Sequence, residues 1–425
     1  MKKFFNDTIN QSKQFGQFNL GNFYFSSEKI FQQFGFREEQ QSGVKNILVM
    51  RLDAIGDFVL TTGFICELRF NYPCARITLV VSKIIYPIAE LCPYVNRVLE
   101  FDSKFSNGAD MLTVIDRIYK FAYENLWQEH FDLEFTMQWG SENHLPIFMG
   151  YLSGARERIG YGYQIELMHF DKLPPKEQDA NYLFLTKPII NPRRLIHEVE
   201  KHFYVLKAIG LSVRSEDMEL WYNQAEIQRA KELLGSISPH SIRIVVGIGA
   251  GGDSRKYSVE KYIEAFKKII KDVNKKTCFI IVGGKAEIAD AEKIQKSLPV
   301  ENVLNLVEKT TLRETMAIIE QSDLFIGNDT GVMHMAAVLK VPIIAIYRQP
   351  EDRDHIVPGV FNEYYRFAPY TRFNVKTLII RPDHALGDCE NAIVYGGCKE
   401  PFAHCINQIK PDEIVEAFLS MTCTV

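Results

Sequence analysis

The sequence predicts an α/β protein made of two doubly wound domains, each a parallel sheet with helices on both faces. Three observations carry that prediction. Short apolar runs of strand length alternate with segments of helical period through both halves of the chain. The loops that leave those runs are rich in Gly, Asp, Asn and Thr, and in open α/β sheets ligands bind where such loops leave the strands. The composition, with 46% hydrophobic and 24% charged residues, is that of an ordinary globular chain. At roughly 150 to 200 residues per α/β domain, 425 residues suffice for two or three domains, and the pattern selects two.

Residues 1–43 form an N-terminal extension rich in Phe and Gln and poor in aliphatic residues. A helix starting at Ser26 or Ser27 would carry Ile30, Phe31 and Phe34 on one face, an arm packed on the body of the protein. An oligomer contact or an interfacial membrane contact is the other use of such an arm, the latter weakened by its small cationic excess. The first domain, 44–215, opens with the strand Ile47–Met50, followed by a helix from Asp57 to Phe70. Strands at Ile77–Val81 and Phe131–Met137 and helices at Ile84–Leu91 and Leu195–Ile209 complete what periodicity shows. The polar, helical stretch near 211–240 marks the boundary. The second domain, 216–425, reads as strands at Ile242–Val246, Phe279–Val282, Leu324–Ile326 and Pro342–Tyr347. Helices at Val259–Val273, Leu312–Ile319 and Val332–Leu339 alternate with them. Two such domains facing each other would place a ligand cleft between them.

Several classes are excluded or demoted. A formal charge of −4 and a pI near 6.2 argue against nucleic acid as a partner. No apolar stretch approaches about 18 residues, so no membrane span is expected. Asn6, Asp7 and Thr8 interrupt any apolar core behind the opening lysines, so the N-terminus does not read as a signal peptide. Eight cysteines are too sparse for a disulfide scaffold. The expectation is a cytoplasmic protein with reduced thiols.

Three loops carry chemistry. In RLDAIGDFVLTTG, Arg51 to Gly63, Gly56 permits a tight turn and Asp57 falls at or near a helix N-terminus. Asp57 is either an N-cap or a general base held at the cleft edge. The helix N-terminus favours its ionised form, which makes it a weak base that depends on positioning. Asp53 is the competing carboxylate, and Arg51, Asp53 and Gly56 make up the acceptor side. In GIGAGGDSRKYSVEKY, Gly247 to Tyr262, a glycine loop between strand and helix offers backbone N–H groups to an anion. Gly249, Ala250, Gly251 and Ser254 line it, and Lys256 adds a point charge that reaches phosphate. Gly247, Gly249 and Gly252 match G-x-G-x-x-G. However, the acidic residue of a dinucleotide site is missing at the end of the next strand, where Gly283-Gly284-Lys285 stands and Glu287 lies further along. A plain glycine turn is the alternative. In SDLFIGNDTGVMHMAAVLKVPIIAIY, Ser322 to Tyr347, Thr330 and Gly331 suit a diphosphate. Asp329 suits sugar hydroxyls, because a carboxylate beside phosphate needs neutral donors to bind. The alternative is a well-capped turn. His334 joins the donor set.

NILVMRLDAIGDFVLTTG, then GIGAGGDSRKYS, then the Ser322–Tyr347 segment together resemble glycosyltransferase family 9, the ADP-heptose:lipopolysaccharide heptosyltransferase family. The resemblance covers about residues 46–420, and the last motif is its most specific part. It implies the GT-B fold, with two Rossmann-like doubly wound domains facing a central cleft, acceptor on the first and nucleotide sugar on the second. It implies inverting transfer without a metal or other required cofactor. By that resemblance Asp57 is the base, Lys256 the diphosphate cation, Asp329 the heptose ligand, and Thr330 and Gly331 the diphosphate contacts. The chain departs from the family where tryptophan-proline would follow the lysine; here Tyr257-Ser258 follows. The implied partners are an ADP-sugar donor and a lipopolysaccharide-core or other glycan acceptor, with room for a peripheral contact with the inner membrane. A protein side chain is the alternative acceptor.

The tail brings together Cys389, Cys398, His404 and Cys405, with His384 nearby. These are soft metal-ligand types without a C-x-x-C pair, so buried thiols, a structural zinc or iron, or a disulfide all fit. Some protein heptosyltransferases of the family it resembles bind iron through cysteines. Two other functions remain open at this stage, an NAD-dependent oxidoreductase on the Gly247 loop and a silent nucleotide-sugar-binding partner protein.

Overall fold

The computed structural model describes residues 27–29, 31–33, 36, 43–103, 111–138, 144–161, 184–190, 197–351, 363–371, 375–386 and 404–422. The chain divides into two units, 1–193 with 201–216, and 194–200 with 217–425, so it changes unit inside the helix Glu198–Ala208.

The first unit holds six parallel strands in the order β3-β2-β1-β4-β5-β6. They are β1 (Asn46–Arg51), β2 (Arg76–Ser82), β3 (Arg97–Phe101), β4 (Leu133–Thr136), β5 (Glu157–Tyr161) and β6 (Lys187–Ile189). The central strands are buried on both faces, which is why Ile47 to Met50 reads as a continuous apolar run. The expected helix after β1 spans Ile55–Asn71, whereas the helix expected at Ile84–Leu91 is a single turn, Tyr86–Ala89, begun by Pro87. The helices Met111–Asn125 and His144–Leu152 cover one face and were not expected.

The described residues of the leader belong to this unit. Residues 27–29 and 31–33 are helical, and Phe31 and Phe36 are buried edge-on against Trp127, with Phe31 also against Tyr151. Gly154 lies at φ +79°, and a Cβ there would stand 2.4 Å from the Phe36 ring, so only glycine admits that ring. Ser27 Oγ bonds the Tyr151 hydroxyl. The described part of the arm therefore packs on the body; residues 1–26, Ile30 and Phe34 lie outside the described residues.

The second unit repeats the order as β12-β11-β10-β7-β8-β9, again all parallel. Its strands are β7 (Ile242–Gly247), β8 (Thr277–Val282), β9 (Val303–Asn305), β10 (Leu324–Asn328), β11 (Ile343–Ile346) and β12 (Thr377–Ile380). Helices at Val259–Asp272, Leu312–Glu320 and Gly331–Val338 lie where periodicity puts them, within a residue or two. In both units the order reverses beside the first strand. Loops leaving the neighbouring strands part there and open a crevice at their carboxyl ends, between β1 and β4 in the first unit and between β7 and β10 in the second.

Candidate functional site

At the first unit's switch point, β1 ends in Arg51 and the next helix begins at Ile55, with Ala54 in the capping position and no side-chain cap. Asp57 is therefore inside the first turn and is not the N-cap. Gly56 is likewise helical rather than part of a turn, which corrects the expectation for it. What holds Asp57 is Arg51. The guanidinium is 2% exposed, with Nη2 2.9 Å from Asp57 Oδ1 and Nε 2.9 Å from Asp53 Oδ1. Asp57 keeps 21% exposure and can meet a substrate, whereas Arg51 cannot. Nη1 of Arg51 lies 3.4 Å from His202 Nε2, a contact 151 residues away along the chain. A histidine so distant, in an otherwise ordinary amphipathic helix, gives no signal in the sequence.

At the second unit's switch point, Gly247 and Gly327 stand in register on β7 and β10. A Cβ on Gly327 would lie 2.5 Å from the Gly247 carbonyl oxygen, so this close approach requires glycine. The loop after β7 runs through Gly249, Ala250 and Gly251 to a short turn, Asp253–Arg255. The Ser254 side chain lies outside the described residues. Ser258 caps the helix Val259–Asp272 by accepting from Lys261 N. Tyr257 is buried and donates its hydroxyl hydrogen to Ile409 O, so it serves the core. The Lys256 ammonium pairs with Asp290, at the start of the helix Ile288–Ser297. A second cation, passed over in the sequence, stands nearer the glycines. Arg255 Nη1 is 3.6 Å from where a Gly251 Cβ would be.

The loop after β10 is tied to this one by Asn328. Its buried amide donates to Ile248 O and Gly249 O, both at 3.0 Å, and its oxygen accepts from Tyr262 Oη at 3.1 Å and Tyr257 N at 3.4 Å. Every hydrogen-bonding group of the side chain is used. The loop carbonyls at 248 and 249 thus face inward. Thr330 is the N-cap of Gly331–Val338, its hydroxyl accepting from Met333 N, which leaves Asp329 just outside the helix and removes capping as its role. The amides at Gly331 and Val332 open the helix and lack intrahelical partners by position. His334 lies behind Asp329, Nε2 3.7 Å from Oδ1. Burial, with the charge of His197 adding to it, pushes His334 down to about 3, so it is a neutral imidazole and no phosphate cation.

Glu287 corrects another expectation. The turn Lys285–Glu287 folds it back onto the end of β8, where it accepts from Gly284 N at 2.9 Å. Its Oε1 lies 3.0 Å from where a Gly249 Cβ would be. The strand itself ends without an acidic residue, and the turn that follows brings the Glu287 carboxylate beside the glycine loop.

Of the tail's thiols and imidazoles, Cys389 and Cys398 lie outside the described residues. Cys405 Sγ is 3.4 Å from His404 Nδ1 and accepts from Leu386 N. Among the described residues no three His, Cys, Asp or Glu are placed to hold a metal ion, and no helix is long and apolar enough to cross a membrane.

The sequence model of glycosyltransferase family 9 (heptosyltransferase) matches residues 175–358. A lipooligosaccharide heptosyltransferase 2 of Campylobacter jejuni is 26% identical over 229 residues, 52% of this chain and 62% of that protein's length. The structure of a family 9 glycosyl transferase from Veillonella parvula superposes with a TM-score of 0.67 at 17% identity, covering 91% of this chain and all of that one. Escherichia coli ADP-heptose lps heptosyltransferase II superposes at 0.63 and 16% identity, covering 88% of this chain and 98% of that one. At these identities the structural likeness shows the fold, the α/β pair of doubly wound units of the GT-B class.

Proposed function

We propose that this chain, which belongs to glycosyltransferase family 9, moves a heptose or related sugar from an ADP-sugar to a lipopolysaccharide-core or other glycan acceptor. The observation that carries the proposal is the second unit's switch point. There Asn328 joins a glycine loop to a helix N-terminus, cations stand beside the loop, and a carboxylate stands on either side. Each group then has a task. The open amides of Gly331 and Val332, those of the Gly249–Gly251 loop, and Lys256 and Arg255 take the diphosphate. Glu287 accepts from ribose hydroxyls, as the acidic residue after the second strand does in dinucleotide sites. Asp329 accepts from the sugar's hydroxyls. Lys256 exchanges Asp290 for phosphate when the donor arrives.

The reaction is a single displacement with inversion. The acceptor oxygen forms its bond to the anomeric carbon as the bond from that carbon to the diphosphate oxygen breaks. The acceptor's proton passes to Asp57, and ADP leaves with the bonding electron pair. Its growing charge is met by N–H groups and side-chain cations fixed in advance, so the step asks for no divalent ion. Arg51 holds the Asp57 carboxylate in place, and the position of the acceptor supplies what a carboxylate's basicity does not. The reading places the enzyme in the cytoplasm, where its thiols stay reduced.

Glu287 would suit the ribose of NAD equally well. Family membership and Asp329 beside the phosphate loop favour a sugar. Thermal shift with ADP-heptose, GDP- and UDP-sugars and NAD tests the donor. ADP-heptose at a hundredfold excess over its dissociation constant should stabilise the protein by about 2.7 kcal/mol. Stabilisation by NAD or a UDP-sugar, with none by ADP-heptose, contradicts the proposal. Heptose-free lipopolysaccharide core and polypeptide acceptors, offered side by side with ADP-heptose, then separate glycan transfer from protein transfer.

A further inference from the structure

We infer that Arg51 and His202 serve the base and not the acceptor: Arg51 positions Asp57, and a neutral His202 fixes Arg51. The inference rests on the reading of Asp57 as the base. Arg51 is 2% exposed at the end of β1, so an acceptor cannot reach it. Its guanidinium stands beside Asp57 and Asp53 at 2.9 Å each, both as ion pairs, and its Nη1 lies 3.4 Å from His202 Nε2. A lysine, with one point charge, could not span them.

The tautomer of His202 follows from its other nitrogen. Nδ1 lies 2.9 Å from Leu60 O, and a carbonyl oxygen only accepts, so Nδ1 carries the proton. In the neutral ring Nε2 then holds a lone pair and accepts from Arg51 Nη1. A doubly protonated ring would set a second donor against the guanidinium. The ring is wholly buried, and Leu60 lies in the first half of the helix that begins at Ile55 and carries Asp57. His202 thus ties the Arg51 fork to the element that presents the base.

Asp53 has its own part: when Asp57 takes the acceptor's proton, Arg51 keeps Asp53 as a counter-ion.

His202→Asn and His202→Gln separate positioning from mere packing. Asn reproduces the Nδ1 donor to Leu60 O and loses the acceptor for Arg51; Gln reproduces the acceptor. With ADP-heptose and heptose-free lipopolysaccharide core as probes, Asn should lower kcat by about ten- to a hundredfold, with the donor KM within about threefold. Gln should restore kcat to within about threefold of the native enzyme. Normal kcat in the Asn variant, equal losses in both, or a collapse of turnover in the Gln variant alone overturns the inference. Asp57→Asn measured alongside keeps the two readings apart. If it retains turnover, the base assignment fails first; if it is inactive while both His202 variants are normal, only the positioning role fails.

Discussion

Glu134 occupies the middle of β4, fully buried, in register with Leu48 on β1 and Arg158 on β5. A Cβ on Gly150 would lie 2.7 Å from its Oε2, so a glycine makes room for the carboxyl group. Thr136 donates to Oε1 at 2.7 Å, and Oε2 is buried without a hydrogen-bond partner. Burial pushes the group up to about 8, against the opposing pull of the Thr136 bond and the Arg158 charge. Between its ordinary value of 4.5 and about 8, the unfolded chain has lost this proton while the native state still holds it. The native state binds more protons, so stability falls as pH rises through that window and levels off above it. Each pH unit is worth about 1.4 kcal/mol, which makes the loss at pH 7 about 3 kcal/mol as an upper bound. Glu134→Gln keeps the shape and the acceptor for Thr136 but does not titrate. Urea unfolding of the first unit across pH 4 to 9 should give near-equal stability for the two proteins at pH 4.5. The Gln variant should lead progressively up to pH 8. A difference that does not change with pH, or a Gln variant less stable at pH 7, refutes the reasoning.

Three further outcomes follow from the second unit. Asp290→Asn frees Lys256 from a partly exposed ion pair, so ADP should bind about two- to fivefold more tightly by calorimetry, the range of such a pair; weaker binding contradicts the exchange of Asp290 for phosphate. Asn328→Asp replaces two donated hydrogen bonds with a carboxylate oxygen facing two carbonyls, and should cost about 2–5 kcal/mol of stability and most of the donor affinity; a stable variant with normal affinity for ADP contradicts its role as the clamp. Transfer from ADP-heptose should survive excess EDTA, because N–H groups and cations stabilise the leaving diphosphate; loss of activity restored by a divalent ion overturns that part of the mechanism.

The sequence shows most of the second unit because its strands are apolar on both faces and its helices are strongly amphipathic. The first unit is less legible. Arg97–Phe101 has charged residues at both its first and fourth positions and so gives no apolar run, and the helix His144–Leu152 is apolar all round and has no period to detect. The two switch-point loops are legible in the sequence as motifs. His202 is not, because that contact depends on how distant segments pack. Glu287 was misplaced because a short turn, not the strand, brings it to Gly249. Asn328 stands inside its motif without a visible task; a side chain whose partners are loop carbonyls, an amide and a distant tyrosine is recognised only once those are in place. Asp57 and Asp329 can each be read from the sequence as a helix cap, and the capping positions are held by Ala54 and Thr330.

The central claim, that the second unit holds a nucleotide sugar with Asp329 on the sugar, is tested most directly by calorimetric titration of the native protein and Asp329→Ala with ADP and with ADP-heptose. The account predicts that ADP binds the variant as well as the native protein or slightly better, since a negative charge near phosphate is gone, while ADP-heptose loses affinity by about tenfold or more, the worth of hydrogen bonds to a charged group. Equal losses for the two ligands would contradict it and leave a phosphate loop with no sugar site.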